Sequence, residues 1–331
     1  MRIPRFFQLE TASGGAAAAA DTALAAEAAA GLRAPAAALS PKFLYDPLGS
    51  RLFEAITALD EYYPTRTEAA IHAAEGAAIV DAALACSGPA PMLVDLGAGN
   101  CEKAARLFDA LQPRRYVAVD ISTDHLRAAL EALQRAHPAL DVVGLGGDFS
   151  AGLALPPPLR ERGGTLVLYP GSSIGNFAPD EALRLLREVR ALAAQGGSGG
   201  LVIGADLVKD RATLEAAYDD ALGVTAAFNL NLLRRLNGLL GADFDARQWR
   251  HVALYDEARG RIEMHLEARR ALTVRWPGGE RRFEAGERIH TENSCKWQPE
   301  AFAALLREAG FAAVRRFTDA RGWFGVFVAR A

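Results

Sequence analysis

Residues 92–103 read Met-Leu-Val-Asp-Leu-Gly-Ala-Gly-Asn-Cys-Glu-Lys. A short apolar run stops at Gly97-Ala98-Gly99, and apolar positions then recur with helical spacing at Ala104, Ala105, Leu107, Phe108 and Leu111. This is the pattern of a strand, a tight glycine turn and a helix. Glycines let the backbone turn sharply and carry no Cβ to obstruct a ligand lying on the loop. The amides opening the helix then face that ligand. A second apolar run, Tyr116-Val117-Ala118-Val119, ends in Asp120. An acid about 20 positions past the turn, at the tip of the second strand, can meet the two hydroxyls of a ribose.

Working outward, strands and helices keep alternating. A helix is expected around Ser122 to His137, with Ser122 as its N-cap, and a strand around Val142 to Leu145, followed by Gly147-Asp148-Phe149. The run Thr165 to Tyr169 leads into Pro170-Gly171-Ser172-Ser173-Ile174-Gly175-Asn176-Phe177, and a helix follows from Pro179 to Ala194. The run Leu201 to Ala205 ends in Asp206, and a helix (Pro299 to Ala309) with two strands (Ala312 to Phe317, Phe324 to Ala329) completes the pattern. Repeated βα units predict an α/β fold with a parallel sheet and helices on both faces. Ligands of such sheets bind at the carboxyl ends of the strands.

The glycine turn chooses among nucleotides. A dinucleotide fingerprint requires a third glycine where pyrophosphate crosses the helix start. Glu102 stands at that position, where its carboxylate would repel a phosphate but tolerate a cation. Asp-Leu-Gly-Ala-Gly resembles the first motif of the Rossmann-like S-adenosylmethionine (SAM) methyltransferases, whose cofactor carries no phosphate. In such enzymes an acid or amide near Asp148 often meets the adenine amino group, with an apolar neighbour such as Phe149 on the ring. Read alone, Asp148 could equally cap a helix.

Half of the 331 residues are apolar and the formal charge is −3, which points to neither nucleic acid nor a membrane surface as partner. No continuous apolar run is long enough to span a bilayer. The start, Met1-Arg2-Ile3-Pro4-Arg5-Phe6-Phe7, lacks the apolar core and cleavage site of a signal peptide and reads as a flexible lead-in. Ala16 to Ala30 has high helix propensity but few large apolar residues to hold it, so a marginal helix is expected there. Three scattered cysteines and six histidines show no metal-ligand spacing. A cytoplasmic, metal-independent protein is the default expectation, and it is expected to be a monomer.

From Ser40 the chain becomes dense in turn formers and aromatics, including Tyr45-Asp46-Pro47, and Glu61-Tyr62-Tyr63-Pro64-Thr65-Arg66 follows a short helix. The tyrosines before the proline are expected in extended or turn backbone, one entering a cleft and one packing, or both packing. The next helix is placed at Glu68 to Ala85. Between residues 209 and 290 the alternation breaks: a helical stretch runs from Arg211 to Leu240 through Tyr218, and strands follow. In Arg261 to Ala268, Ile262, Met264 and Leu266 fall on one face, with Glu263, His265 and Glu267 on the other. Leu272 to Trp276 and Arg281 to Phe283, joined by Pro277-Gly278-Gly279, read as a hairpin. In an extended Thr291-Glu292-Asn293-Ser294, Glu292 and Ser294 share a side.

Taken together, Tyr45-Asp46-Pro47, residues 61–66, Gly171 to Asn176, Asp206-Leu207-Val208-Lys209-Asp210 and Thr291-Glu292-Asn293-Ser294-Cys295-Lys296 resemble the histidine Nα-methyltransferases of ergothioneine biosynthesis. The likeness runs from about residue 25 to 331. It implies a Rossmann-like SAM-methyltransferase domain (65–208 plus 293–331) and a second, α+β substrate-binding domain (25–64 plus 209–292) that closes over the amino acid, after an alanine-rich lead-in (1–24). It also implies that SAM methylates the α-amine of L-histidine three times, giving hercynine. Carried over position by position, Gly97, Gly99, Lys103, Asp120, Asp148 and Phe149 would hold SAM. Asn176 would hold the substrate's amino and carboxylate end, with Tyr45 near the amine and Tyr218 on the carboxylate. Gly171 would permit close approach, Tyr62, Glu292 and Ser294 would meet the imidazole, and Met264 would shape the pocket. Met264 between Ile262 and Leu266 reads equally as a core residue. A methyltransferase for another aromatic amino acid or imidazole compound, and a SAM-binding module without catalysis, are the competing readings.

Overall fold

The computed structural model describes residues 2–9, 17–160 and 162–331. In chain order the elements are β1 (Arg5–Gln8), α1 (Ala17–Arg33), α2 (Pro47–Thr57), α3 (Tyr63–Ser87), β2 (Met92–Leu96), α4 (Glu102–Ala105), α5 (Phe108–Leu111), β3 (Arg115–Asp120), α6 (Thr123–Ala136) and β4 (Asp141–Gly146). They continue with β5 (Thr165–Tyr169), α7 (Pro179–Ala194), β6 (Gly199–Asp206), α8 (Arg211–Ala216), α9 (Val224–Leu240), β7 (Trp249–Asp256) and β8 (Arg261–Ala268). The last are β9 (Leu272–Trp276), β10 (Gly279–Phe283), β11 (Arg288–Cys295), α10 (Pro299–Glu308), β12 (Ala312–Thr318) and β13 (Phe324–Arg330). The chain folds as two units. One comprises β1 with Pro64–Val208 and Cys295–Ala331; the other runs from α1 to Tyr63 and takes in Lys209–Ser294.

The first unit is an eight-stranded sheet in the order β1-β4-β3-β2-β5-β6-β13-β12. All neighbours from β1 to β6 pair parallel, while β13 is antiparallel to both β6 and β12. Strands buried on both faces need no polar alternation, which is why Met92–Leu96 and Thr165–Tyr169 are buried along their whole length. Val94, Leu96, Val117, Val167 and Ile203 pack on one side with Leu186, Val189 and Phe302 from α7 and α10. Leu93, Tyr116, Leu166 and Val202 pack on the other with Ile71, Ile79 and Ala83 from α3 and Leu126 and Leu130 from α6. Strand order reverses between β2 and β5, so the loops after those strands flank a topological switch point. This is the Rossmann-like α/β architecture expected from the alternating pattern.

Three expectations need correction. Residues 5–8 are not a loose lead-in but strand β1, in register with Val143–Gly146. The Arg5 guanidinium meets both oxygens of Asp141 at 3.0 Å, and the Arg127 guanidinium lies 4.2 Å from the Phe6 ring centroid. The helix expected over Ala16 to Ala30 is present as the 17-residue α1 and runs on to Arg33, so the assignment of residues 17–24 to the flexible lead-in gives way. Helix α3 starts at Tyr63, not Glu68, because Pro64 has a fixed φ and no N–H and so suits the first helical turn. At 25 residues, α3 is also long and apolar enough, by length and composition alone, to match a membrane span. Its apolarity is largely alanine, and Ile71, Ile79 and Val80 bury one face in the core.

The second unit joins α1, α2 and α9 to a three-stranded sheet, β11-β8-β7, and a hairpin, β9-β10. Strands β7 and β8 pair antiparallel from Trp249↔Ala268 to Asp256↔Arg261. Central β8 buries both of its faces, so the expected polar face is also inside: His265 and Glu267 are buried with Met264 and Leu266. Their charges are matched locally. Glu267 accepts from Arg250 Nε at 2.8 Å and Arg288 Nε at 2.8 Å, and His265 Nε2 lies 3.0 Å from Glu263 Oε2.

Candidate active site

In the first unit, the loop after β2 turns through Gly97 (φ +69°) and Gly99 (φ +52°), a left-handed backbone that favours glycine. Beyond their chain neighbours, no atom comes within 4 Å of where a Cβ would stand on either residue. The outer face of the loop is therefore open to a ligand, as SAM requires. Asp120 ends β3 beside it. One carboxylate oxygen accepts the Gly99 N–H at 2.9 Å and the other accepts the Ser122 N–H at 2.8 Å. Asp120 thus holds the glycine loop in shape, and each oxygen keeps a lone pair for a ribose hydroxyl. Ser122 is the N-cap of α6 but makes no side-chain cap.

Asp148 and Phe149 follow β4, the neighbour of β3. Asp148 does cap a short turn, accepting from the Ser150 N–H at 3.0 Å, and Phe149 stands edge-on to Tyr169 with centroids 5.7 Å apart. Lys103, in α4, pairs with Glu68 of α3 at 2.7 Å. On the far side of the switch point, Gly171 (φ +78°) and Ser172 (φ +63°) turn the chain into the single helical turn Ser173–Asn176, which places Asn176 half-buried at its end. Ser172 is held from behind, its hydroxyl accepting the Asp206 N–H at 2.8 Å.

Under the glycine loop, Asp95 is 1% exposed and accepts from the Tyr116 hydroxyl at 2.7 Å. Burial pushes its pKa up to about 7, against the lowering effect of Tyr116. An acid whose folded pKa exceeds its unfolded one binds its proton longer in the native state. Its contribution is favourable below the ordinary carboxylate range and is lost as pH rises towards 7. We therefore expect Asp95→Asn to gain stability relative to the native protein between pH 4 and 7 and to hold a constant difference above. Thermal melts of both proteins across that range test this, and parallel curves would refute it.

In the second unit, Tyr45, Phe53, Tyr62, Phe228 and Tyr218 form a chain of edge-on and tilted rings with successive centroids 5.6 to 6.2 Å apart. Tyr62 and Tyr63 are both buried, at 8% and 3% exposure. The Tyr218 hydroxyl lies 2.7 Å from Ser294 Oγ. Ser294 and Glu292 share a face of β11, at 4% and 7% exposure, so a carboxylate is held in largely dry surroundings. Met264, on the adjacent strand, is 1% exposed, and its carbonyl accepts from Thr291 Oγ1 at 3.0 Å.

Reading the sequence missed the residues behind these. The His251 ring donates from Nε2 to the Tyr218 carbonyl at 2.8 Å and accepts at Nδ1 from the Asn229 amide at 2.9 Å. Burial lowers the His251 pKa, which suits this neutral tautomer. Asn229 also donates to the His265 carbonyl at 3.0 Å. Lys296 and Asp206, wholly buried, pair at 2.9 Å. Glu68 received no role at all. An isolated polar residue in an apolar helix carries no signal until its partners, distant in sequence, are known.

Sheet order, glycine loop and acidic strand tip define a Rossmann-like, SAM-dependent methyltransferase. The model of the histidine-specific, SAM-dependent methyltransferases matches residues 24–331, and the chain belongs to that family. A histidine N-alpha-methyltransferase of Mycolicibacterium smegmatis is 42% identical over 306 residues, covering 91% of this chain and 92% of that protein. A protein of the same name from Mycobacterium tuberculosis is likewise 42% identical over 306 residues, or 90% of this chain and 92% of its own. Ergothioneine biosynthesis protein 1 of Neurospora crassa is 32% identical over 288 residues, covering 83% of this chain but 31% of the fungal protein.

Proposed function

We propose that the chain transfers three methyl groups in succession to the α-amino nitrogen of L-histidine, giving trimethylhistidine. The observation that carries this reading beyond its family is the pairing of Glu292 with Ser294 on a buried strand, beside Tyr218. A desolvated carboxylate and hydroxyl form a receptor for an imidazole N–H and ring nitrogen, and a phenyl or indole ring would leave one or both unpaired.

SAM supplies a methyl already activated by its sulfonium charge, so no strong nucleophile is needed from the chain. Gly97 and Gly99 would admit it, Asp120 would take the ribose hydroxyls, Asp148 and Phe149 would take the adenine, and Lys103 would take the carboxylate. Asn176 and Tyr45 hold the substrate amine as neutral hydrogen-bond partners. A carboxylate in their place would stabilise the ammonium, whose lone pair is occupied. Alignment of the lone pair is the main demand and is worth up to about 7–11 kcal/mol. In each transfer the nitrogen lone pair would form an N–CH3 bond as the S–CH3 bond breaks and the neutral thioether leaves, and the nitrogen sheds a proton to solvent before the next. After the third it has no lone pair, and the sequence ends.

Incubation with SAM and a panel of amino acids, followed by mass spectrometry, tests the reading. Gains of one, two and three methyl masses on histidine are expected. Preference for another aromatic amino acid would replace the substrate, and SAM binding without turnover would reduce the protein to a binding module. For the cofactor side, Asp120→Ala removes both the ribose acceptor and the clamp on the Gly99 and Ser122 amides. Two hydrogen bonds to a charged group, about 1.5 kcal/mol or more each, imply a loss of SAM affinity of about 150-fold or more. A calorimetric titration giving an unchanged Kd would overturn the assignment.

A further inference from the structure

Glu68 lies in α3, two residues past the Glu61–Arg66 motif but within none of the motifs described above, and its carboxylate side chain is only 4% exposed. A buried carboxylate persists where partners satisfy it. One oxygen accepts the Gly171 N–H at 2.9 Å, and the other pairs with Lys103 Nζ at 2.7 Å. Gly171 opens the loop that ends in Asn176, and Lys103 belongs to the helix after the glycine loop.

Two glycines make the space this carboxylate and its lysine occupy. A Cβ at Gly204, on β6, would stand 2.4 Å from Glu68 Oε1, and a Cβ at Gly171 would stand 2.9 Å from Lys103 Nζ. Sheet, loop and helix are therefore all fitted around one ion pair. A lysine ammonium has three N–H donors, and Glu68 fixes its position with one, leaving donors for a ligand.

We infer that Glu68 is a positioning residue that ties the cofactor-side lysine to the substrate-side loop, so that both ligands depend on it although it touches neither. This rests on the proposed assignment of Lys103 to SAM and of the Gly171–Asn176 loop to histidine. It predicts a distinctive pattern. Glu68→Gln keeps an acceptor for Gly171 but loses the charge that holds Lys103, so SAM affinity should fall about tenfold and KM for histidine should change by less than threefold. Glu68→Ala removes both links and should raise the Kd for SAM and the KM for histidine about tenfold or more each. Glu68→Asp keeps the charge but is one methylene short of reaching both partners, so it should lose less SAM affinity than Glu68→Gln does while still departing from the native Kd by about threefold.

The test is a calorimetric SAM titration with steady-state histidine kinetics, run well below each variant's melting temperature. Lys103→Met and the double variant with Glu68→Gln complete a cycle. If Glu68 acts through Lys103, Glu68→Gln adds less than twofold to the loss of SAM affinity once Lys103 is gone. Variants that melt earlier but keep native SAM affinity and histidine KM would make Glu68 structural and overturn the inference. A native SAM affinity in Lys103→Met would instead overturn the assignment of Lys103, and the inference with it. Should Glu68→Gln or Glu68→Ala not fold, Glu68→Asp alone decides: a native Kd and KM refute the role.

Discussion

Glu292→Ala is expected to lower kcat/KM for histidine about a thousandfold, roughly 4 kcal/mol, while the Kd for SAM stays within about twofold. The size follows from the surroundings. Glu292 is 7% exposed, on a strand whose neighbouring β8 is buried on both faces, so an alanine would leave the imidazole N–H without an acceptor where water is scarce. Losing one partner of a buried, charge-assisted hydrogen bond costs about 2–5 kcal/mol, much of it the desolvation of the group left behind. Glu292→Gln retains an acceptor and should recover part of the loss. Equal damage to SAM binding and histidine use would show that Glu292 supports the fold and does not read the substrate.

Lys296→Met is the second large effect, and it acts on stability. Lys296 and Asp206 are 0% and 1% exposed at their side chains, 2.9 Å apart. Removing one partner leaves a charge in the interior, at a cost of about 3–5 kcal/mol. Asp206 ends β6, and its N–H is bonded to Ser172, so an early melt should be accompanied by a weakened Gly171–Asn176 loop. A double variant, Lys296→Met with Asp206→Leu, removes both charges and should regain most of the stability. Chemical denaturation of the three proteins decides between an interior ion pair that holds the structure only as a pair and one whose partners act independently. Equal losses in single and double variants would contradict the first.

The first unit was legible because its signals are local. Apolar runs at 92–96, 116–119, 142–145, 165–169 and 201–205, each ended by glycine, proline or an acid, need no tertiary information to read as buried parallel strands. The same holds for Asp120, whose distance from the glycine turn is a property of the βαβ unit. Strand β1 was not legible: two phenylalanines between arginines make no periodic pattern, and their reason for being extended is the free edge of β4, more than a hundred residues away. Asn229, His251, Glu68 and the Lys296–Asp206 pair failed for the same cause. Each is polar, buried and explained only by a partner that the fold brings to it. The polar face of β8 misled in the opposite direction, because alternation identifies a strand but cannot tell solvent from arginine as the company of a glutamate.

The first sheet is written in two instalments. Strands β1 to β6 precede residue 209, and the hairpin β12-β13 follows residue 294. Yet β13, the later strand, takes the inner place beside β6, with β12 outside it. During translation the whole intervening stretch must leave the ribosome while β6 still shows a bare row of amides and carbonyls, a surface prone to pairing with another nascent chain. Yield of this protein in a cell should therefore respond to translation speed across residues 209–294 and to chaperones that shield strand edges, even where the finished fold is robust.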